Sequence, residues 1–170
     1  SGSATLSFNS PVAFTTQPAS LTLNPGSLAS FSVAVTGTAP FSYQWRKNGT
    51  NIAGGSSATF SIPAVAAADA GAYDVVVTNV VGNLSSGSAT LSVNTPVSIT
   101  THPASLTVNP GSLVSFSVAA TGTAPLSYQW KRNGVNLAGG TAASYSIPSA
   151  ALADAGSYTV EAYNDAGGVM

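Results

Sequence analysis

Apolar and polar residues alternate with a period of two along much of this chain. Phe31, Val33 and Val35 are separated by Ser32 and Ala34, and Phe41, Tyr43 and Trp45 by Ser42 and Gln44. Tyr73, Val75 and Val77 follow the same rule. Residues two apart share one face of an extended strand, so each run predicts a strand with one face on a core and one in water. Turn formers punctuate the runs at Asn24-Pro25-Gly26, Thr38-Ala39-Pro40, Asn48-Gly49 and Gly54-Gly55. Asn-Gly between extended runs predicts a two-residue hairpin, because both residues tolerate the positive φ of a type I′ turn. Ala64–Ala68 is the one helix-prone stretch and is expected to form a single turn before Asp69. Many short strands with this punctuation predict an all-β sandwich.

The pattern occurs twice. An offset of 85 residues carries Pro11-Val12 onto Pro96-Val97, Tyr43-Gln44-Trp45 onto Tyr128-Gln129-Trp130, and Asp69-Ala70-Gly71 onto Asp154-Ala155-Gly156. Most aligned positions are identical, so the chain reads as two tandem copies of one sandwich, residues 10–94 and 95–170. Each copy offers the same core: Val33, Trp45, Tyr73 and Val75 in the first, Val118, Trp130, Tyr158 and Val160 in the second.

The series Gly26, Val33, Trp45, Asp69-x-Gly71-x-Tyr73-x-Val75 and Asn79 resembles an immunoglobulin domain of the intermediate type. Gly111, Val118, Trp130, Asp154-x-Gly156-x-Tyr158-x-Val160 and Asn164 repeat it. The likeness is to bacterial immunoglobulin-like tandem repeats without the inter-sheet disulfide, and it implies two Greek-key β-sandwiches. In that family a disulfide joins strands B and F. The resemblance sets Val33 with Val75, and Val118 with Val160, at those positions, so apolar packing on the tryptophans is expected to replace a bridge whose loss costs about 2–5 kcal/mol. It also implies a tyrosine corner at Tyr73 and Tyr158.

The same offset relates the ends. Ser1–Asn9 repeat Ser86–Asn94 with a single change, Phe8 for Val93. They are expected to be a strand G without a domain, while the second copy is expected to lack its own. Ser3, Ala4, Thr5, Leu6, Ser7 and Phe8 are the candidate donor strand. Tyr158, Val160, Ala162 and Asn164, on strand F of the second copy, are the candidate acceptor. The short Asn94–Val97 link favours an extended chain, so the expected partner is another copy joined head to tail, or the neighbouring period of a continuous array. Heterologous contacts of this kind propagate unless rotation closes a ring.

Composition narrows the chemistry. Charged residues make up 5% of the chain, against about 25% in soluble proteins generally, and the net charge is −1. No basic field exists to hold nucleic acid. There are no cysteines for thiolate chemistry. No apolar run approaches the roughly 18 residues of a membrane-spanning helix, and no basic-then-apolar leader opens the chain. His102 is the only histidine and replaces Gln17 of the first copy, with no converging partners. Asp69 and Asp154 are expected to accept turn hydrogen bonds, and Glu161 to be a solvated strand residue. No catalytic residue, metal site or cofactor is expected.

These features predict a structural repeat of an extracellular or cell-surface fibre, stalk or adhesin, bacterial in origin. The alternative is an accessory ligand- or carbohydrate-binding module of a larger secreted protein. Stacking platforms for sugars use exposed aromatics, and only Tyr163 is expected to point outward.

Overall fold

The computed structural model describes residues 2–170; Ser1, the first residue of the donor segment, lies outside the described residues. The chain divides between Val93 and Asn94 into two units. The first contains β1 (Ala13–Thr16), β2 (Leu21–Leu23), β3 (Ala29–Ser32), β4 (Ala34–Thr36), β5 (Ser42–Lys47), β6 (Thr50–Asn51) and β7 (Thr59–Ile62). It continues with β8 (Gly71–Thr78), β9 (Asn83–Ser85) and β10 (Ala89–Val93). One sheet runs β2-β10-β8-β5-β6, with β9 also on β8; the facing layer pairs β3 with β7 and β1 with β4.

Alternation translates directly into burial. Phe31, Trp45, Tyr73, Val75, Val77 and Leu91 are fully buried between the layers, and Val33 joins their cluster. Phe31 stacks on Tyr73 with ring centroids 4.8 Å apart. The Trp45 indole N–H donates to Ser57 O at 2.8 Å, so the ring is buried without an unsatisfied donor. Gly55 lies against the same tryptophan, where an added Cβ would come within 2.9 Å of Trp45 Cβ. In the second unit Trp130 donates to Ala142 O at 2.9 Å, and Gly140 makes the equivalent close approach.

The local expectations largely hold. Asn48 and Gly49 have φ of 50° and 79°, and Lys47 pairs with Thr50 across them, the two-residue hairpin that the sequence predicts. Tyr73 Oη donates to Asp69 O at 2.7 Å and Tyr158 Oη to Asp154 O at 2.7 Å, which makes both tyrosine corners. Burial, reinforced by the Asp69 charge, pushes the Tyr73 phenol up. The Asp69 carboxylate accepts the Ala66 N–H at 2.8 Å, and Asp154 that of Ala151 at 2.9 Å.

The helical turn is displaced. It spans Ala67–Asp69, with a copy at Leu152–Asp154, rather than starting at Ala64. Val65 is the reason: its N–H donates to Ser27 O and its carbonyl accepts from Gly26, so the chain before the turn is held extended.

The second unit contains β11 (Ser98–Thr101), β12 (Val114–Ser117), β13 (Ala119–Thr121), β14 (Ser127–Arg132) and β15 (Val135–Asn136). β16 (Ser144–Ile147), β17 (Tyr158–Asn164) and β18 (Gly167–Val169) follow. Its larger sheet runs β15-β14-β17-β18, while β12 pairs with β16 and β11 with β13.

Asn79 and Asn164 tie each unit together across long stretches of sequence. Asn79 Nδ2 donates to Ser10 O (2.8 Å) and Thr38 O (3.0 Å). Asn164 Nδ2 donates to Thr95 O and Thr123 O, both at 2.9 Å. Ser10 O and Thr95 O also accept the N–H of Thr38 and of Thr123, so Asn79→Ala and Asn164→Ala each strand one carbonyl, Thr38 O or Thr123 O, and each is expected to destabilise its own unit by about 1–3 kcal/mol. Urea unfolding followed by the tryptophan of that unit measures the loss; an unchanged midpoint contradicts the assigned role.

Candidate functional site

The two units share a sequence pattern but not a complete sheet. In the first, β10 fills the space between β2 and β8. It runs antiparallel to β8, with Ala89 opposite Tyr73, Thr90 opposite Ala72 and Leu91 opposite Gly71. It runs parallel to β2, with Leu91, Ser92 and Val93 opposite Leu21, Thr22 and Leu23. Ala89 and Leu91 point inward and are each 1% exposed. Burial of a leucine contributes about 1.5–3 kcal/mol, so this strand supplies part of the core as well as a hydrogen-bonded edge.

The second unit has no counterpart of β10 among the described residues. Leu106–Val108, which repeat Leu21–Leu23 with Val108 for Leu23, form no strand there. Leu106 is 49% exposed and Val108 44% exposed, whereas Leu21 and Leu23 are half-buried against their core. Tyr158 is half-buried where Tyr73 is fully enclosed. The buried core cluster is correspondingly small, consisting of Val118, Trp130 and Val160. A groove of about 430 Å³ occupies the vacant position, lined by Leu106, Val108, Val114, Phe116, Ile147 and Tyr158 among others.

The extent of the open edge corrects the sequence expectation. Ala162 and Asn164 are not free to accept a strand, because β18 already pairs Val169 with Ala162 and Gly167 with Asn164. The first unit explains this: strand G is split, with β9 on Val76–Thr78 and β10 on Gly71–Tyr73. In the second unit β18 is the counterpart of the first half, and no described residue takes the place of the second. The open stretch is therefore Gly156–Tyr158 and extends towards Val160.

The candidate donor segment meets nothing in its own chain that would bury it. Residues 2–9 form no strand, Ala4 is exposed, and Leu6 and Phe8 are 80% and 84% exposed. Ser10, which follows this segment, is held by a 2.7 Å bond from its N–H to Thr38 Oγ1.

The charged residues are engaged rather than free. Arg46 pairs with Asp74 directly across the sheet, and this hydrogen-bonded carboxylate raises the Arg46 pKa and keeps the guanidinium charged. The second copy has Thr159 where the first has Asp74, and Lys131 instead reaches Glu161 at 2.5 Å. Glu161 is thus an ion-pair partner, not the solvated strand residue that the sequence suggests. Arg132 pairs with Asp154 at 3.2 Å and donates to Ala153 O. Such part-exposed pairs contribute at most about 1 kcal/mol each. His102 is exposed, and among the described residues no group of three or more potential ligands converges to hold a metal.

An incomplete sandwich should be the weaker one. Each unit carries one tryptophan, so Trp45→Phe leaves Trp130 to report on the second unit and Trp130→Phe leaves Trp45 to report on the first. In dilute solution the Trp130 transition is expected at lower urea concentration than the Trp45 transition. Coincident or reversed transitions would show that the groove carries no energetic cost.

Comparison with known proteins agrees with this architecture. Residues 12–93 match the family model for the immunoglobulin I-set domain, and residues 96–164 that for an immunoglobulin domain. The decoration protein of Escherichia phage T5 is 44% identical over 62 residues, covering 36% of this chain and 38% of that protein. The basement membrane-specific heparan sulfate proteoglycan core protein of Mus musculus is 34% identical over 116 residues, covering 65% of this chain and 3% of that protein. The chain therefore spans well under half the length of either curated relative. An I-band fragment of titin superposes with a TM-score of 0.82 at 26% identity, covering 94% of this chain and 62% of that one. Four immunoglobulin domains of Sidekick-1 share the fold, with a TM-score of 0.70 at 18% identity over 95% of this chain and 47% of that one. Two family matches in series, on two sandwiches with the expected tyrosine corners, identify the chain as a tandem pair of immunoglobulin domains.

Proposed function

We propose that this chain is a structural repeat of an extracellular or cell-surface fibre, stalk or adhesin, of bacterial origin, joined head to tail by strand complementation. One observation carries the reading: a vacant strand position on the second unit coexists with an exposed segment that repeats the sequence of the strand filling that position in the first. A sheet edge offers a row of unpaired N–H and C=O groups, and an extended segment is the natural complement. In a continuous array the same strand is supplied by the neighbouring period, and either arrangement gives a string of sandwiches.

The chemistry of the surface supports a mechanical or adhesive role over catalysis. All four cations are occupied by carboxylates or backbone carbonyls, including Lys47, which donates to Ala68 O. Likeness to an I-band fragment of titin and to a basement membrane proteoglycan supports a structural or adhesive repeat. The carbohydrate-binding alternative gains no comparable support. Trp45 and Trp130 are fully buried, and the strongly exposed aromatics among the described residues, Phe8 and Tyr163, lie in different units.

Sedimentation of the purified chain tests the proposal. Oligomers that grow with protein concentration are expected, and the double variant Leu6→Asp/Phe8→Asp should remain monomeric with unchanged urea unfolding of the first unit. A chain that stays monomeric at every concentration contradicts head-to-tail assembly.

A further inference from the structure

We infer that the groove of the second unit selects the segment Ser3–Phe8 of a second copy of this chain in a single register. The inference rests on the head-to-tail reading above and adds which residue meets which. The first unit provides the template, because Ala4-Thr5-Leu6-Ser7 is identical to Ala89-Thr90-Leu91-Ser92 and the walls of the two grooves repeat at the same offset apart from changes such as Val108 for Leu23, Val114 for Ala29 and Ser157 for Ala72. Transferred by that offset, the β10 pairings place Ala4 opposite Tyr158, Thr5 opposite Ser157 and Leu6 opposite Gly156. On the other side, Leu6, Ser7 and Phe8 fall opposite Leu106, Thr107 and Val108.

Side-chain size supports this register. Ala89 and Leu91 are buried while Thr90 and Ser92 are exposed, so Ala4 and Leu6 turn inward and Thr5 and Ser7 outward. A one-residue slip would present Thr5 and Ser7 to the apolar groove and put Leu6 in water. At the far end the two copies differ in a compensating way. Val93 sits opposite Leu23 in the first unit, whereas the transferred register sets the larger Phe8 opposite the smaller Val108. Large against small on one side and small against large on the other keeps the filled volume similar. Phe8 thus fits the groove of the second unit better than a plain copy of Val93 would.

Polar anchors are also in place. Ser20 Oγ accepts the Thr90 N–H at 2.9 Å, and Gln17 Oε1 accepts the Gly87 N–H at 2.8 Å. Ser105 repeats Ser20, so it is positioned to accept the N–H of an incoming Thr5. His102 stands where Gln17 does, which offers an imidazole nitrogen to the N–H of Gly2. This gives the otherwise unexplained histidine a role as an acceptor. Leu6 and Phe8 are exposed, which leaves them available to another copy.

Cross-linking reads the register directly, since the chain has no cysteine of its own. Thr5 and Ser157 are both exposed, and the register makes them cross-strand neighbours on the outer face, within reach of a disulfide. Mild oxidation of Thr5→Cys/Ser157→Cys is expected to give a ladder of covalent oligomers on a non-reducing gel. Leu6→Cys/Ser157→Cys, whose thiols lie on opposite faces, should give little. Equal ladders from both variants would overturn the register, and a cross-linked monomer would overturn the second copy as donor.

A second measurement separates this inference from the assembly reading. The full chain carrying Leu6→Asp serves as acceptor for a synthetic peptide of residues 2–9, with amide shifts expected at Gly156–Tyr158 and Leu106–Val108. The same peptide with Leu6→Asp should bind at least about tenfold weaker. Shifts elsewhere, or equal binding of both peptides, would overturn the selectivity even if the chain oligomerises. Selective peptide binding by a chain that never oligomerises would support the groove and sink the assembly.

Discussion

Backbone hydrogen-bonding groups along a strand must find partners, and the apolar side chains of that strand must find a core. In the first sandwich one strand, Ala89–Val93, does both at once: it bonds to Gly71–Tyr73 on one side and Leu21–Leu23 on the other, and it buries Ala89 and Leu91. In the second sandwich no described residue takes that position, and both needs go unmet in the same place. Leu106–Val108 lose strand structure, Tyr158 loses cover, and the core cluster contracts to Val118, Trp130 and Val160. Sequence changes add to the difference, since Ala150 and Ala162 stand where the first core has Val65 and Val77.

The scaffold around it is otherwise robust without a disulfide. Val33 and Val75 belong to one core cluster with Trp45, and Phe31 and Tyr73 stack within it. The tyrosine corner bonds strand to turn in both units. Asn79 and Asn164 clamp the start of each unit to the loop before the strand that carries its tryptophan. These contacts do not involve Ala89–Val93, which explains why the second unit keeps its fold with an open edge.

The sequence makes much of this legible because its signals are local or repeated. Asn48-Gly49 reports its own backbone angles, alternation in Phe31–Val35 reports the buried face, and the offset of 85 exposes the kinship of Ala4–Ser7 with Ala89–Ser92. Less legible is anything set by non-local backbone pairing. Asn83–Ser85 are exposed, so no apolar pattern announces that they pair with β8, and the same blindness conceals that Gly167–Val169 already cover Ala162–Asn164. The bonds of Asn79 span 69 and 41 residues. Glu161 finds Lys131 one step off the directly opposed pair, a neighbour that only the sheet register reveals. The helical turn starts later than alanine propensity predicts, because that propensity yields to the bonds that hold Val65 extended.

Amide hydrogen exchange on the intact chain, in dilute and in concentrated solution, tests the central claim most directly. Concentration should bring joint protection of Ala4–Ser7, Leu106–Val108 and Gly156–Tyr158, leaving β10 unchanged. Rapid exchange of all three stretches in concentrated solution would contradict the account.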